Sequence, residues 1–131
     1  MLFRSIVQEF NACIGVDDVH VNGKLTLGEN IADLGGLATA LDAMRLAVGD
    51  TPDPKTDGLS RDQRFFYSFA TSWRDRYTPD MLKVLVNSDP HAPSDFRAIG
   101  APSNLPAFAA AFSCKAGQPM VRGAAEQVVI W

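Results

Sequence analysis

Leu27, Ile31, Leu34, Ala38, Leu41 and Val48 recur at steps of three and four, with Met44 and Ala47 filling the one longer gap. That period lays apolar side chains along one side of a helix and does not suit a strand, so the spacing predicts one long α-helix. The helix should stop near Gly49, because "GDTPDPKTDG" follows and Pro52 and Pro54 cannot continue it. Whatever else the chain builds must pack on this element.

The flanking segments read as shorter helices. Leu2, Phe3, Ile6, Val7 and Phe10 keep helical spacing at the start, and "GVDDVHVNGK" then supplies turn residues. Ser60 caps "RDQRFFYSFATSWRDRY", whose core face would carry Phe65, Phe66, Phe69 and Trp73. Pro79 opens a further helix that buries Met81, Leu82 and Leu85. "NSDPHAPSDFRAIGAPSN" reads as a turn-rich loop stiffened by Pro90, Pro93 and Pro102. "LPAFAAAFSC" reads as a short helix, and the tail "VVIW" as a short strand at most. The expectation is a single, mainly α domain over residues 1–131.

Composition narrows the function classes. A net charge of −3 with scattered Lys and Arg offers no basic stripe for nucleic acid or an anionic membrane. No apolar run approaches the ~20 residues a bilayer span needs. "MLFRSIVQEF" does not resemble a signal peptide, so the sequence as it stands carries no address. Cys13 and Cys114 are too few for a disulfide framework, and their redox state stays open.

The chemistry concentrates at two places. Glu29 and Asp33 lie four residues apart at the head of the long helix, followed by Gly35 and Gly36. Thr26 and Glu29 match the T-x-x-E capping box, in which each side chain satisfies the other's backbone N–H. Like charges at i,i+4 repel, and two glycines cost a helix interior ~2 kcal/mol against alanine. Capping explains Glu29 alone; a nearby cation or a close-packed neighbour would explain the rest. The second place is "DPHAPSDFR", where His91 sits between prolines and Arg97 follows six residues later. Taken locally it is a surface histidine beside an arginine that pairs with Asp89 or Asp95.

"VNGKLTLGENIADLGGL", "FFYSFATSWRDRY", "DPHAPSDFRAIGAPSNLPAFAAAFSC" and the final "IW" together resemble the neprilysin and endothelin-converting enzyme family of zinc metalloendopeptidases. The likeness runs the length of the chain and implies the C-terminal helical subdomain of a thermolysin-like (gluzincin) peptidase. It implies that Glu29 is a zinc ligand, joined by two histidines of an H-E-x-x-H helix. Asp33 would receive a ligand histidine's other N–H. His91 would donate to the oxyanion of the tetrahedral intermediate, and Arg97 would hold a substrate carbonyl. Ala92, Ser94 and Asp95 depart from the family's more usual serine, glycine and glutamate.

No H-E-x-x-H occurs here: the two histidines are His20 and His91, and neither is followed by glutamate. His20 matches no catalytic position and reads as a surface or structural residue. The resemblance therefore implies an incomplete zinc site, with peptide substrates and the N-terminal part of the catalytic domain as the missing partners. By the same resemblance, the usual partner of Cys114 lies upstream, and Val128 replaces another cysteine. Relatives are usually membrane-anchored, secreted or periplasmic. Two outcomes are expected: a share of a peptidase site, or an inactive homologue that acts as a small helical binding domain. An apolar face left uncovered would favour self-association into a homo-oligomer.

Overall fold

The computed structural model describes residues 2–130. Six helices and one small hairpin follow in the order α1 (Leu2–Asn11), β1 (Ile14–Val16), β2 (Val19–His20), α2 (Leu27–Val48), α3 (Arg61–Ser72), α4 (Pro79–Ser88), α5 (Ser94–Ser103) and α6 (Pro106–Ala111). The mainly α expectation holds. None of the helices among the described residues is long and apolar enough to cross a membrane.

α2 is the spine that its periodicity requires. Leu34, Leu37 and Leu41 are buried along one side, joined by Ile6 and Phe10 of α1, Phe66 of α3, Ala101 of α5 and Val128 of the tail. α5 makes its most extensive packing against α2. α2 ends at Gly49, whose φ of 50° suits a residue without Cβ.

The start of α2 is not built by the expected capping box. Thr26 makes no side-chain cap bond. Its hydroxyl instead donates to the Asn22 carbonyl at 3.1 Å and accepts from Asn30 Nδ2 at 2.9 Å. Asn22 does the turning, since its Oδ1 accepts from the backbone N–H of Lys24 and Leu25, both at 3.1 Å. Thr26 is buried, and a hydroxyl in that position satisfies its nearest neighbours rather than the helix end. Glu29 is thereby left free of capping duty. At α3 the box does form: Ser60 Oγ accepts from Gln63 N–H, and Gln63 Oε1 accepts from Ser60 N–H.

Four other expectations are corrected. The loop after α1 contains the β1–β2 hairpin, whose Asp17 and Asp18 take φ of 43° and 52°. Two consecutive positive φ values match the twist of a two-residue hairpin, and aspartate tolerates them better than most residues. Met81 is exposed on α4 and Val86 takes the buried place, facing the hairpin: a Cβ on Gly15 would lie 2.7 Å from Val86 Cγ2. The proline-rich loop contains α5: Pro93 stands just before its first turn, where a missing N–H costs little, and Pro102 sits inside its last turn, where it gives up one helix bond just as the helix stops. The tail forms no strand up to Ile130; Trp131 lies outside the described residues.

The tail is fixed by a side chain instead. Buried Asn104 donates through Nδ2 to Glu9 at 3.0 and 3.2 Å and to the Gly100 carbonyl at 3.0 Å. Its Oδ1 accepts the Val128 N–H at 3.0 Å. Arg122 Nη1 stands 3.4 Å from Glu9 Oε1. One amide thus joins α1, α5 and the chain's last residues.

Candidate active site

Glu29 and Asp33 sit one turn apart near the start of α2, so both point to the same side. α5 crosses that side and brings Arg97. Its Nε donates to Asp33 Oδ2 at 2.6 Å and its Nη2 to Asp33 Oδ1 at 2.7 Å, a bidentate fork. Both side chains keep little exposure, 11% for Arg97 and 13% for Asp33, so the pair is largely withdrawn from water. Trp73, at the end of α3, lays its ring under the guanidinium at 4.0 Å from ring centroid to Cζ. Arg97 therefore pairs with neither Asp89 nor Asp95, contrary to the local expectation.

His91 lies between α4 and α5. Its Nδ1 is 2.7 Å from Asp89 Oδ1, and its Nε2 is 3.2 Å from Glu29 Oε2. Asp89 also accepts the His91 backbone N–H at 2.8 Å. That backbone bond, followed by the ring's bond, holds the Asp89 carboxyl below the usual carboxylate range. Carboxylates only accept, so a neutral imidazole can satisfy one of its two acidic neighbours and a doubly protonated ring satisfies both.

All four residues singled out in the sequence, Glu29, Asp33, His91 and Arg97, thus meet at one edge between α2 and α5. Both ring nitrogens of His91 are engaged, by Asp89 and Glu29, while the other three keep unused capacity. Asp33 spends one lone pair on each oxygen, and Arg97 keeps both N–H groups of Nη1 and one of Nη2. Two members escaped the sequence reading. Asp89 had a signal in the D-x-H spacing, which allows one carboxylate to fix both the backbone and the ring of the histidine. Trp73 had none, since its helical spacing is that of a core residue.

Other candidates fall elsewhere. His20 is exposed, with Nδ1 2.8 Å from the Asn11 carbonyl. Cys13 and Cys114 are free and half-buried. Burial, then the Glu9 and Asp95 charges, push the Cys13 thiol up to about 11, which keeps it protonated at neutral pH.

The donor set does not hold zinc unaided. A catalytic zinc takes three protein ligands, and no three histidines, cysteines or acids gather as a metal site among the described residues. Glu29 offers one carboxylate, with the Arg97 cation 3.7 Å from its Oε2. That fits one ligand position of a shared site and not a site.

The fold is mainly α with its candidate polar residues gathered at one edge, and similarity to known proteins gives the family. The model of "Peptidase family M13" matches residues 2–128, and the chain belongs to that family. It is 46% identical over 103 residues to "Endothelin-converting enzyme 1" of Bos taurus, covering 76% of this chain and 14% of that protein. It is 45% identical over 108 residues to "Endothelin-converting enzyme homolog" of Locusta migratoria, covering 80% of this chain and 15% of that protein. The crystal structure of Mycobacterium tuberculosis zinc metalloprotease ZMP1 with an inhibitor superposes with a TM-score of 0.90 at 32% identity, over 98% of this chain and 20% of that one. PepO of Lactobacillus rhamnosis HN001 gives 0.79 at 33% identity, over 99% and 19%. The chain spans about a seventh of the length of these curated relatives.

Proposed function

We propose that this chain forms one wall of a zinc metalloendopeptidase site, whose remaining ligands come from residues outside it. The observation that carries this reading is the meeting of Glu29, Asp33, His91 and Arg97, 62 residues apart between Asn30's neighbour Glu29 and His91, at one half-exposed edge with hydrogen-bonding capacity to spare. Glu29 serves as the carboxylate ligand to zinc, and two imidazoles must be brought to it. Asp33 uses its remaining lone pairs to orient one of those imidazoles, while Arg97 neutralises it from the other side.

The substrate side follows from the same geometry. Asp89 and Trp73 fix His91 and Arg97 before any peptide arrives, so donors are preorganised where charge develops. Asp89 holds His91 Nδ1, and His91 Nε2, which stands 3.2 Å from Glu29 Oε2 in this structure, supplies the oxyanion donor once Glu29 is taken up as a ligand. The unspent outer N–H groups of Arg97 hold a peptide carbonyl.

The test is complementation. The purified chain with added zinc should not cleave a general peptide substrate. Mixed with the H-E-x-x-H portion of a family member, it should restore zinc-dependent cleavage, and Glu29→Gln should lower that rate by ~10³-fold or more. Restored cleavage that survives Glu29→Gln would sink the assignment. Until its partner is present, the chain also carries uncovered apolar surface on α2, including Leu46 at 84% exposure. We expect its weight-average mass in sedimentation to rise with concentration.

A further inference from the structure

His91 and Arg97 also line a cavity of about 280 Å³, to which the reading above gives no occupant. Trp73, Leu82, Leu85 and Pro93 give it apolar walls, and Asp75 and Asp89 bring two carboxylates into the lining. Its size suits one side chain rather than a whole small-molecule ligand.

Its charge is the informative property. Asp75 Oδ2 accepts from Ser94 Oγ at 2.7 Å and from the Tyr77 hydroxyl at 3.3 Å, which leaves its other oxygen without a bond among the described residues. Asp89 is engaged by His91 through Oδ1. Arg97 is the guanidinium in the lining, and its charge is already matched by the bidentate bond to Asp33. Arg74 and Arg76 flank Asp75 in the chain, yet neither lines the cavity. Tyr77 registers the resulting sign: the Asp75 charge, first, and the Asp89 charge, last, help push its phenol above the ordinary range. Apolar walls with acids in the lining match an amphipathic cation, whose methylenes lie on hydrocarbon while the head reaches a carboxylate.

We propose that this cavity is a subsite for the basic side chain, arginine or lysine, of a peptide held at His91 and Arg97. The stem lies along Trp73, Leu82 and Leu85, and the charged head meets Asp75. The proposal rests on the peptide-binding part of the reading above and on no metal.

The test is a nuclear magnetic resonance titration of the metal-free chain with acetylated, amidated Ala-X-Ala peptides, where X is arginine, citrulline or norleucine. Citrulline keeps the shape of arginine and removes its charge. The arginine peptide should bind ~3- to 10-fold tighter than the citrulline peptide, the range of a partly exposed ion pair. Shifts should centre on the Trp73 indole N–H and on the Leu82, Leu85 and Ala92 amides. Asp75→Asn retains an acceptor for Ser94 and Tyr77, so a native-like spectrum with the preference reduced to parity is expected. Equal affinity for the arginine and citrulline peptides, shifts centred elsewhere, or no binding of any peptide at millimolar concentration would overturn the subsite. None of those outcomes bears on Glu29 as a zinc ligand, which complementation tests separately.

Discussion

Two polar clusters join distant parts of this chain, and they are built on opposite rules. Around Asn104, every strong donor and acceptor is matched inside the protein: Glu9, Gly100 and Val128 take up the amide, and Arg122 closes the charge. Around Arg97 the pairing is equally tight at Asp33, but Glu29 and His91 stay 40% and 48% exposed, and the Glu29 carboxylate keeps lone pairs to spare. A closed network specifies a fold. An open one of the same chemistry is poised to take ligands. The contrast separates structural from functional polar groups in a chain where both clusters sit beside α5.

Breaking the closed cluster should do the most damage. Asn104→Leu removes the donor to a mostly buried carboxylate and the acceptor of the Val128 N–H, and we expect a loss of about 3 kcal/mol in urea denaturation. A loss below ~1 kcal/mol would mean water replaces the amide and the cluster is not closed. Arg97→Ala, in the open cluster, should cost less, about 2 kcal/mol, because Asp33 can reach solvent once its partner leaves. The double variant Asp33→Asn with Arg97→Ala should recover part of that loss, since it removes the stranded charge. Additive single losses would show that the two side chains do not act as a pair.

pH sharpens the same contrast, because the two clusters titrate with opposite sign. Burial raises the Glu9 carboxyl above its ordinary 4.5, outweighing the Asn104 and Ser103 bonds and the Arg122 charge. A raised folded value means the folded state holds the proton more tightly than the unfolded one. The Glu9 contribution to stability is therefore full below pH 4.5 and is lost as pH rises through the folded value. Asp89 is lowered from 3.8, so its contribution is present above that pH and is lost as pH falls through its folded value. Stability measured from pH 2 upward should thus lose its falling arm in Glu9→Gln and part of its acid-side rise in Asp89→Asn. Unchanged profiles in both would remove the distinction. Asp89 is half-buried and its partner His91 is exposed, so solvent screens the pair and its arm is the shallower.

Much of this was legible in the sequence, and the failures share a cause. The long helix, the Ser60 cap and the four site residues follow from spacing or from family likeness, both carried along the chain. Asn104 could not be found that way, since its partners Glu9 and Val128 lie 95 and 24 residues distant. The Thr26 box failed because burial gave the hydroxyl nearer partners than the helix end. α5 hid among prolines that mark loops in most contexts, yet Pro93 precedes its first turn, where a missing N–H is tolerated, and Pro102 falls in its last turn, where the lost bond comes just as the helix ends. Trp73 was read as core and is half-buried, but its ring also carries the Arg97 cation. Pattern gives elements; it does not say which polar group each element will meet.

Gly36 allows the smallest and most discriminating test. Of the glycine pair in α2, Gly35 is buried and Gly36 is exposed. A Cβ added at Gly36 meets nothing within 4 Å, and the residue borders an open groove with Ala32, Ala40, Phe65 and Phe69. Among the described residues nothing therefore requires glycine there. In dilute solution Gly36→Ala should stabilise by ~0.5–1 kcal/mol, because alanine restricts the unfolded chain and favours the helix. In the complementation assay the same methyl should weaken assembly if a partner packs closely on the groove. Stabilisation alone with assembly untouched would leave the groove open in the assembled protein as well. Destabilisation of the dilute chain would mean that the groove is already filled by another copy, and concentration dependence of the midpoint would reveal it.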